Sequence, residues 1–177
     1  MENLNNVNLK NVMDFGDQIK SDPSKASRTQ IIEGNWLFEP GGPQFEATIN
    51  FEGGQTIFQV DNPTFMGGGG NLPGPMHYCF FGLASCYTST FATMAAMLGI
   101  RLKKLSMRVE ADMNFSSVFG LGVQPVMETV RVILLVECYE EEAKIKEAEK
   151  LALERCPVVF TLRNPVKLVS ALQISRS

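Results

Sequence analysis

The sequence has no excess of basic residues. Its 177 residues contain 16 Lys and Arg against 19 Asp and Glu, which gives a net charge of −3 at pH 7. Proteins that grip the phosphate backbone of nucleic acids need clusters of Lys and Arg, so we expect no nucleic-acid partner. The glycine-rich segments 67–70 and 119–122 lack the residues that complete a dinucleotide-binding or P-loop motif. Metal-ligand spacing is also absent, and we expect neither a metal nor another cofactor.

Cysteine is scarce as well. Four cysteines are too few to staple a domain of this size with disulfides. Residues 1–12 are Asn-rich and mostly polar, without the basic and apolar regions of a secretory signal. We therefore expect a cytoplasmic protein whose thiols are reduced, in which a cysteine serves either as core filler or in redox chemistry.

Charge is missing from a long internal segment. Between Asp61 and Arg101 there is no Asp, Glu, Lys or Arg, and His77 is the one group there that titrates near neutral pH. A membrane span needs about 18 uninterrupted apolar residues, and polar side chains and Gly82 interrupt residues 75–100 before that length is reached. We expect no membrane span. The segment instead predicts a long helix buried on every side, at the centre of a domain or of a dimer.

The remaining elements are predicted around that helix. Residues 1–27 are polar and predict an irregular N-terminal arm, followed by a single domain over 28–177. The order is βββ-α-ββ-α-β, an α+β fold with antiparallel sheets. The expected strands are 30–38, 45–51, 55–60, 105–115, 126–138 and 167–174; a mobile glycine-rich loop spans 63–75, Gly99 stops the central helix, and a charged helix spans 139–155.

The cysteines differ in their surroundings. Cys79 and Cys86 are seven residues apart, on one face of the central helix. Cys138 ends an apolar strand, where an inert buried thiol is expected. Cys156 stands where the charged helix stops, and Pro157 suits the first position of a new turn, so free backbone N–H groups could favour its thiolate. Taken one at a time, each cysteine fits a structural role better than a catalytic one.

Two motifs together resemble a known family. Residues 73–86 read Pro-Gly-Pro-Met-His-Tyr-Cys-Phe-Phe-Gly-Leu-Ala-Ser-Cys and lead into the apolar helix, and residues 156–159 read Cys-Pro-Val-Val. The pair is similar to the motifs of the osmotically inducible protein C and organic hydroperoxide resistance family. In that family, a small-small-Cys step sits in a central helix, and a Cys-Pro-Val motif follows a charged helix. The order of elements agrees from about residue 30 onward.

The resemblance implies a thiol-dependent peroxidase. Cys86 would attack an organic hydroperoxide and become a sulfenic acid, and Cys156 would resolve it as an intramolecular disulfide. A dithiol reductant, of lipoyl type for example, would restore the thiols. The resemblance also implies an intertwined homodimer whose central helices pack together, which would account for the absence of charge from that helix.

The sequence departs from the family pattern at two places. Peroxidase members carry a Glu nine or ten residues before the reactive cysteine, where this chain has Met76 and His77, and an Arg near the first hairpin. Here no Arg occurs between Arg28 and Arg101. A histidinium at His77 could lower the pKa of Cys86, or His77 could hydrogen-bond at the helix start. A second function therefore stays open: a non-enzymatic relative that binds a hydrophobic small molecule or senses redox state.

Overall fold

Over residues 3–175, which the computed structural model describes, the chain combines antiparallel strands with helices. The α+β class predicted from the sequence is confirmed. In chain order the elements are α1 (Leu9–Ser21), β1 (Gly34–Trp36), β2 (Phe45–Phe51), β3 (Gly54–Val60), α2 (Pro75–Met97), β4 (Leu102–Ala111), β5 (Val130–Cys138), α3 (Glu142–Arg155) and α4 (Pro157–Arg163).

The strands form two separate antiparallel sheets. In the first, β2 lies between β1 and β3, with Trp36 opposite Phe45 and Ala47 opposite Phe58. The second pairs β4 with β5, and its register shifts once, between Leu102 and Lys104. Every strand predicted before α3 is present, although β1, β4 and β5 are shorter at one end or both than the sequence suggested. The long connection 112–129 separates β4 from β5.

The central helix α2 has well-defined ends. It begins at Pro75, whose fixed φ suits a first helical position, and the Nδ1 of His77 accepts a hydrogen bond from the Gly74 N–H at 3.1 Å. It ends at Gly99, as predicted, because that residue adopts φ +72°, and Ile100 N–H then donates to the Ala95 carbonyl. Within the chain α2 packs against β4, α3 and α4.

One face of α2 forms the centre of the core. Leu83, Tyr87, Phe91, Met94 and Ala95 are buried there against α3 and α4. The opposite side is not covered by the chain itself: Phe81 is 63% exposed and Met97 49% exposed. The expectation of a helix buried on every side is therefore wrong for a single chain. Within the described part of the chain, no helix is long and apolar enough to cross a membrane.

Two predictions at the ends of the chain are wrong. The arm 1–27, expected to be irregular, contains α1, whose N-terminus is capped by the Asn8 side chain accepting from the Asn11 N–H. The strand expected at 167–174 does not form in the part described: α4 occupies 157–163, and the backbone from 165 to 175 has no strand partner. Residues 1, 2, 176 and 177 of the predicted arm and domain lie outside the described residues.

The glycine-rich loop before α2 is held by a buried carboxylate, so the expectation of a mobile loop is corrected. Asp61 is 1% exposed, and its carboxylate accepts hydrogen bonds from the N–H groups of Gly69 at 3.1 Å and Asn71 at 2.9 Å. A Cβ on Gly68 would collide with the carbonyl oxygen of Asn62. The loop therefore needs glycine for close approach to its own backbone, and it delivers the chain to α2 in a fixed position.

Replacing Asp61 with Ala should destabilise the fold. The amides of Gly69 and Asn71 would lose their acceptor, and a buried donor left unsatisfied costs about 1–3 kcal/mol. We expect a lower urea midpoint for Asp61→Ala, with the exposed Glu52→Ala as the matched loss of one carboxylate. Equal midpoints for the two variants would show that the carboxylate does not hold the loop.

Candidate functional site

The two cysteines of the sequence motifs meet in the folded chain. The Sγ atoms of Cys86 and Cys156 are 3.5 Å apart, although the residues are seventy positions apart in sequence. Cys86 lies in the middle of α2 and is half-buried, whereas Cys156 is completely buried. A disulfide bond is about 2.05 Å long, so the sulfurs need to approach by only about 1.5 Å to form one. Both are free thiols here.

Cys156 owes its place to the junction of α3 and α4. Its N–H donates to the Ala152 carbonyl as the last bond of α3, and its own carbonyl accepts from the Phe160 N–H to begin α4. Pro157 has no N–H with which to continue α3, so the chain turns there into a new helix. The turn directs the Cys156 side chain inward, toward α2.

The backbone after the junction contacts Cys86 rather than Cys156. The N–H of Val158 donates to the Cys86 sulfur. This differs from the expectation that free N–H groups would serve the Cys156 thiolate. Burial nevertheless raises the pKa of Cys86 above the ordinary value, the Val158 N–H opposes this rise, and the neighbouring Cys156 adds to it. In the reduced protein Cys86 is therefore held mainly as a thiol.

The charged groups considered from the sequence lie elsewhere. His77 is used in the hydrogen bond at the start of α2, which confirms the structural interpretation of this residue. It precedes Cys86 by nine residues, about 13 Å along the helix axis. The guanidinium of Arg28 stacks on the ring of Phe15 in α1, 5.4 Å from its centroid. Met76, at the place of the family's Glu, lines an apolar pocket.

The other two cysteines do not join the pair. Cys138, at the end of β5, is half-buried and packs against the edge of the core, close to the inert state expected for it. Cys79 is exposed and lies two turns before Cys86 on α2. That separation is about 10 Å along the axis, beyond the 7 Å between Cα atoms that a disulfide allows.

Two apolar cavities flank the first half of α2. The larger, about 600 Å³, lies between α2 and the β1–β3 sheet, and neither reactive cysteine lines it. The smaller, about 400 Å³, lies on the side of α4, and its walls include Leu83 and Val158. Leu83 is one turn before Cys86, and Val158 is the residue whose N–H contacts the Cys86 sulfur. The smaller cavity is therefore the one beside the thiol pair.

Sequence reasoning did not identify the part played by Tyr87 or by the Val158 N–H. Tyr87 is 1% exposed, and burial, together with the charge of Glu149 and the neighbouring Cys156, raises its pKa to about 12, while Arg163 lowers it. Its phenol thus remains protonated beside the cysteine pair. No motif marks either group, because a backbone N–H carries no residue identity and Tyr87 resembles ordinary core.

Comparison with known proteins agrees with the fold and the placement of the motifs. A family model described as OsmC-like protein matches residues 68–170, more than half of the chain. The chain belongs to the OsmC-like family. The matched region contains both reactive-cysteine motifs of this OsmC-like chain, and a search of the curated proteins finds no match.

Solved structures share the fold of this OsmC-like chain at low sequence identity. An OsmC-like protein from Mycoplasma pneumoniae is 21% identical, with a TM-score of 0.61 over 78% of this chain and 90% of its own. An organic hydroperoxide resistance protein OsmC from Legionella pneumophila is 18% identical, with a TM-score of 0.53 over 77% and 92%. An OsmC-like protein of unknown function from Vibrio cholerae is 12% identical, with a TM-score of 0.53 over 76% and 94%. These likenesses establish a shared fold.

The raised pKa of Cys86 predicts slow alkylation near neutral pH. Because the thiolate is the nucleophile, the rate of iodoacetamide labelling of Cys86 should inflect above about pH 8.5, the value of a free cysteine. Mass spectrometry of the peptide that contains Cys86 measures this rate. The urea-unfolded chain is the control, and its Cys86 should show the ordinary inflection. A folded-state inflection at or below the unfolded one would contradict the prediction.

Proposed function

We propose that this OsmC-like protein is a thiol peroxidase that reduces organic hydroperoxides to alcohols with Cys86 and Cys156. The observation that carries the proposal is the 3.5 Å separation of the two sulfurs. The half-buried Cys86 is the sulfur that a substrate can reach, whereas the completely buried Cys156 is protected from it. Cys86 is therefore the attacking residue and Cys156 the resolving one.

The first half of the reaction consumes the hydroperoxide. The Cys86 thiolate attacks the outer oxygen of R–O–O–H, the O–O bond breaks, and the leaving alkoxide takes a proton to become the alcohol. Cys86 is then a sulfenic acid. The thiol of Cys156 attacks this sulfur, forms the disulfide and releases water. The Val158 N–H assists the first step, because a hydrogen bond to the thiolate stabilises its charge.

The second half needs a dithiol reductant. One thiolate of the reductant attacks the more accessible sulfur, Cys86, and Cys156 leaves as the free thiol. The second thiol of the reductant then attacks its own partner sulfur in the mixed disulfide, which releases Cys86 and the oxidised, cyclic reductant. A lipoyl-type dithiol suits this sequence, because both of its thiols belong to one small molecule that can reach the surface of α2.

The proposal predicts a specific loss of thiols. One equivalent of cumene hydroperoxide should remove two free thiols from the reduced protein and create a Cys86–Cys156 disulfide, detected by intact mass and peptide mapping. We expect hydrogen peroxide to react more slowly, because a small polar molecule gains nothing from the apolar cavity beside Cys86.

Three variants divide the reaction into its parts. Cys86→Ser should slow peroxide consumption by at least about a thousandfold, the loss expected when a nucleophile is removed. Cys156→Ser should allow one oxidation of Cys86 and no intramolecular disulfide. Cys138→Ser, a cysteine away from the pair, should behave like the wild type. Equal consumption by the wild type and Cys86→Ser would exclude the enzymatic function.

A second candidate function is favoured by the surroundings of Cys86. Burial holds its pKa high, and the family's Glu is replaced by Met76 beside the apolar cavity. Both features suit a non-enzymatic protein that binds a hydrophobic small molecule or records oxidation slowly. If cumene hydroperoxide leaves the thiol count unchanged while an apolar fluorescent probe binds in the micromolar range, this second function is the correct one.

We also infer that the protein works as a homodimer. Three apolar surfaces are left open by a single chain: the side of α2 that carries Phe81 and Met97, the large groove between α2 and the β1–β3 sheet, and the extended tail 165–175, in which Leu168 is 93% exposed. Monomeric proteins seldom expose so much contiguous apolar surface. A second copy of the chain could cover all three and complete the burial of α2.

Light scattering should therefore give a mass of twice 19.6 kDa. Phe81→Glu should shift the protein toward the monomer, because the new carboxylate would be buried without a partner in the dimer. Glu147→Lys, on the exposed charged face of α3, is the control and should remain dimeric. A monomeric wild-type protein would contradict the inference.

A further inference from the structure

The smaller cavity follows the row of α2 residues that leads to the reactive sulfur. Cys79, Leu83 and Cys86 lie at helical spacings of four and three, so they share one face of α2. The cavity, of about 400 Å³, is lined by Cys79 and Leu83 at one wall and by Val158 at the end nearest Cys86. A molecule that reaches the Cys86 sulfur with a bulky substituent would place that substituent in this cavity.

The walls of this cavity carry no charge among the residues that the structure describes. Its side chains come from the first half of α2, from the end of the 112–129 connection, from β5 and from α4. They are Met76, Tyr78, Cys79, Phe80, Gly82, Leu83, Met127, Val130, Val158 and Leu162. The hydroxyl of Tyr78 is already committed, since it donates to the Gln59 carbonyl at 2.6 Å.

Charged residues stand next to the lining in sequence but outside it. Glu128 follows Met127 and Arg163 follows Leu162, and both side chains are exposed to solvent. Neither belongs to the wall of the cavity. An anion that entered would therefore lose water without gaining a salt bridge, and transferring an ionised carboxylate into apolar surroundings without a partner is strongly unfavourable. A neutral alkyl or aryl group carries no such penalty.

We propose that this cavity selects hydroperoxides by charge, accepting neutral alkyl or aryl substituents and rejecting those that carry an ionised carboxylate. The inference rests on the proposed peroxidase function, because it concerns the substrate of the same sulfur. It goes beyond that function in excluding free fatty-acid-type hydroperoxides in favour of neutral ones, including esters. Met76 is the decisive side chain, since it stands in the wall at the N-terminal end of α2.

A matched pair of probes tests the selection. Cumene hydroperoxide bearing a para-carboxylate and the methyl ester of the same compound have the same ring and the same O–O group, and they differ in one charge. At pH 8 the acid is fully ionised. We expect the second-order rate of Cys86 oxidation, followed by intact mass, to be at least about tenfold greater for the ester, because a buried unpaired charge costs more than the 1.4 kcal/mol that corresponds to a factor of ten.

A substitution in the wall should reverse the preference. Met76→Lys places an ammonium beside the cavity and should raise the rate with the carboxylate relative to the rate with the ester. Met76→Leu keeps the wall apolar and should retain the preference for the ester. Reading the ratio of the two rates in each variant removes any general effect of the substitution on folding or on Cys86.

The outcomes separate this inference from the proposed function. If neither probe oxidises Cys86 and cumene hydroperoxide also fails, the peroxidase function itself is wrong and the inference falls with it. If both probes oxidise Cys86 at equal rates, or if Met76→Lys leaves the ratio unchanged, the function stands and charge selection by this cavity is refuted. An ester preference that Met76→Lys reduces or reverses supports it.

Discussion

The close packing of α2 against α3 sets the position of every group at the candidate site. Ala148 and Ala152 of α3 are completely buried in the core shared with α2, and side chains this small let the two helix backbones approach each other. α3 ends at Cys156 one turn after Ala152, so the short distance between the helices becomes a short distance between sulfurs. A larger residue at either alanine would separate Cys156 from Cys86 without touching either one.

The same packing creates an opposition between burial and reactivity. Removing Cys86 from water raises its pKa, and a neighbouring thiol adds to the rise, while one backbone N–H from Val158 acts against both. The arrangement therefore favours the second step of the proposed reaction, in which two nearby sulfurs join, over the first, which needs a thiolate. The family's charged partners would act on the first step, and this chain has Met76 where the Glu would be.

Sequence patterns predicted the elements whose stability is local. The glycine at 99 stops α2, the alternating strands β2 and β3 form a hairpin, and the charged segment forms α3, because in each case the residues involved are neighbours in sequence. Cysteine spacing alone did not pair Cys86 with Cys156; the resemblance of two motifs did. The Val158 N–H and the buried carboxylate of Asp61 act through tertiary contacts, so composition and periodicity gave no sign of them.

The predictions that failed at the chain ends have a common physical cause. Residues 9–21 were taken as irregular because they are polar overall, but an amphipathic helix needs only one apolar stripe and a cap, which Asn8 provides. The tail from 165 to 175 has the alternation of a strand, yet a strand exists only where a neighbour offers hydrogen bonds, and within one chain none is paired with it over the residues described. The alternating pattern of the tail and the uncharged outer side of α2 thus express one requirement. Both call for a surface that a single chain does not supply, and a second copy is the simplest source of it.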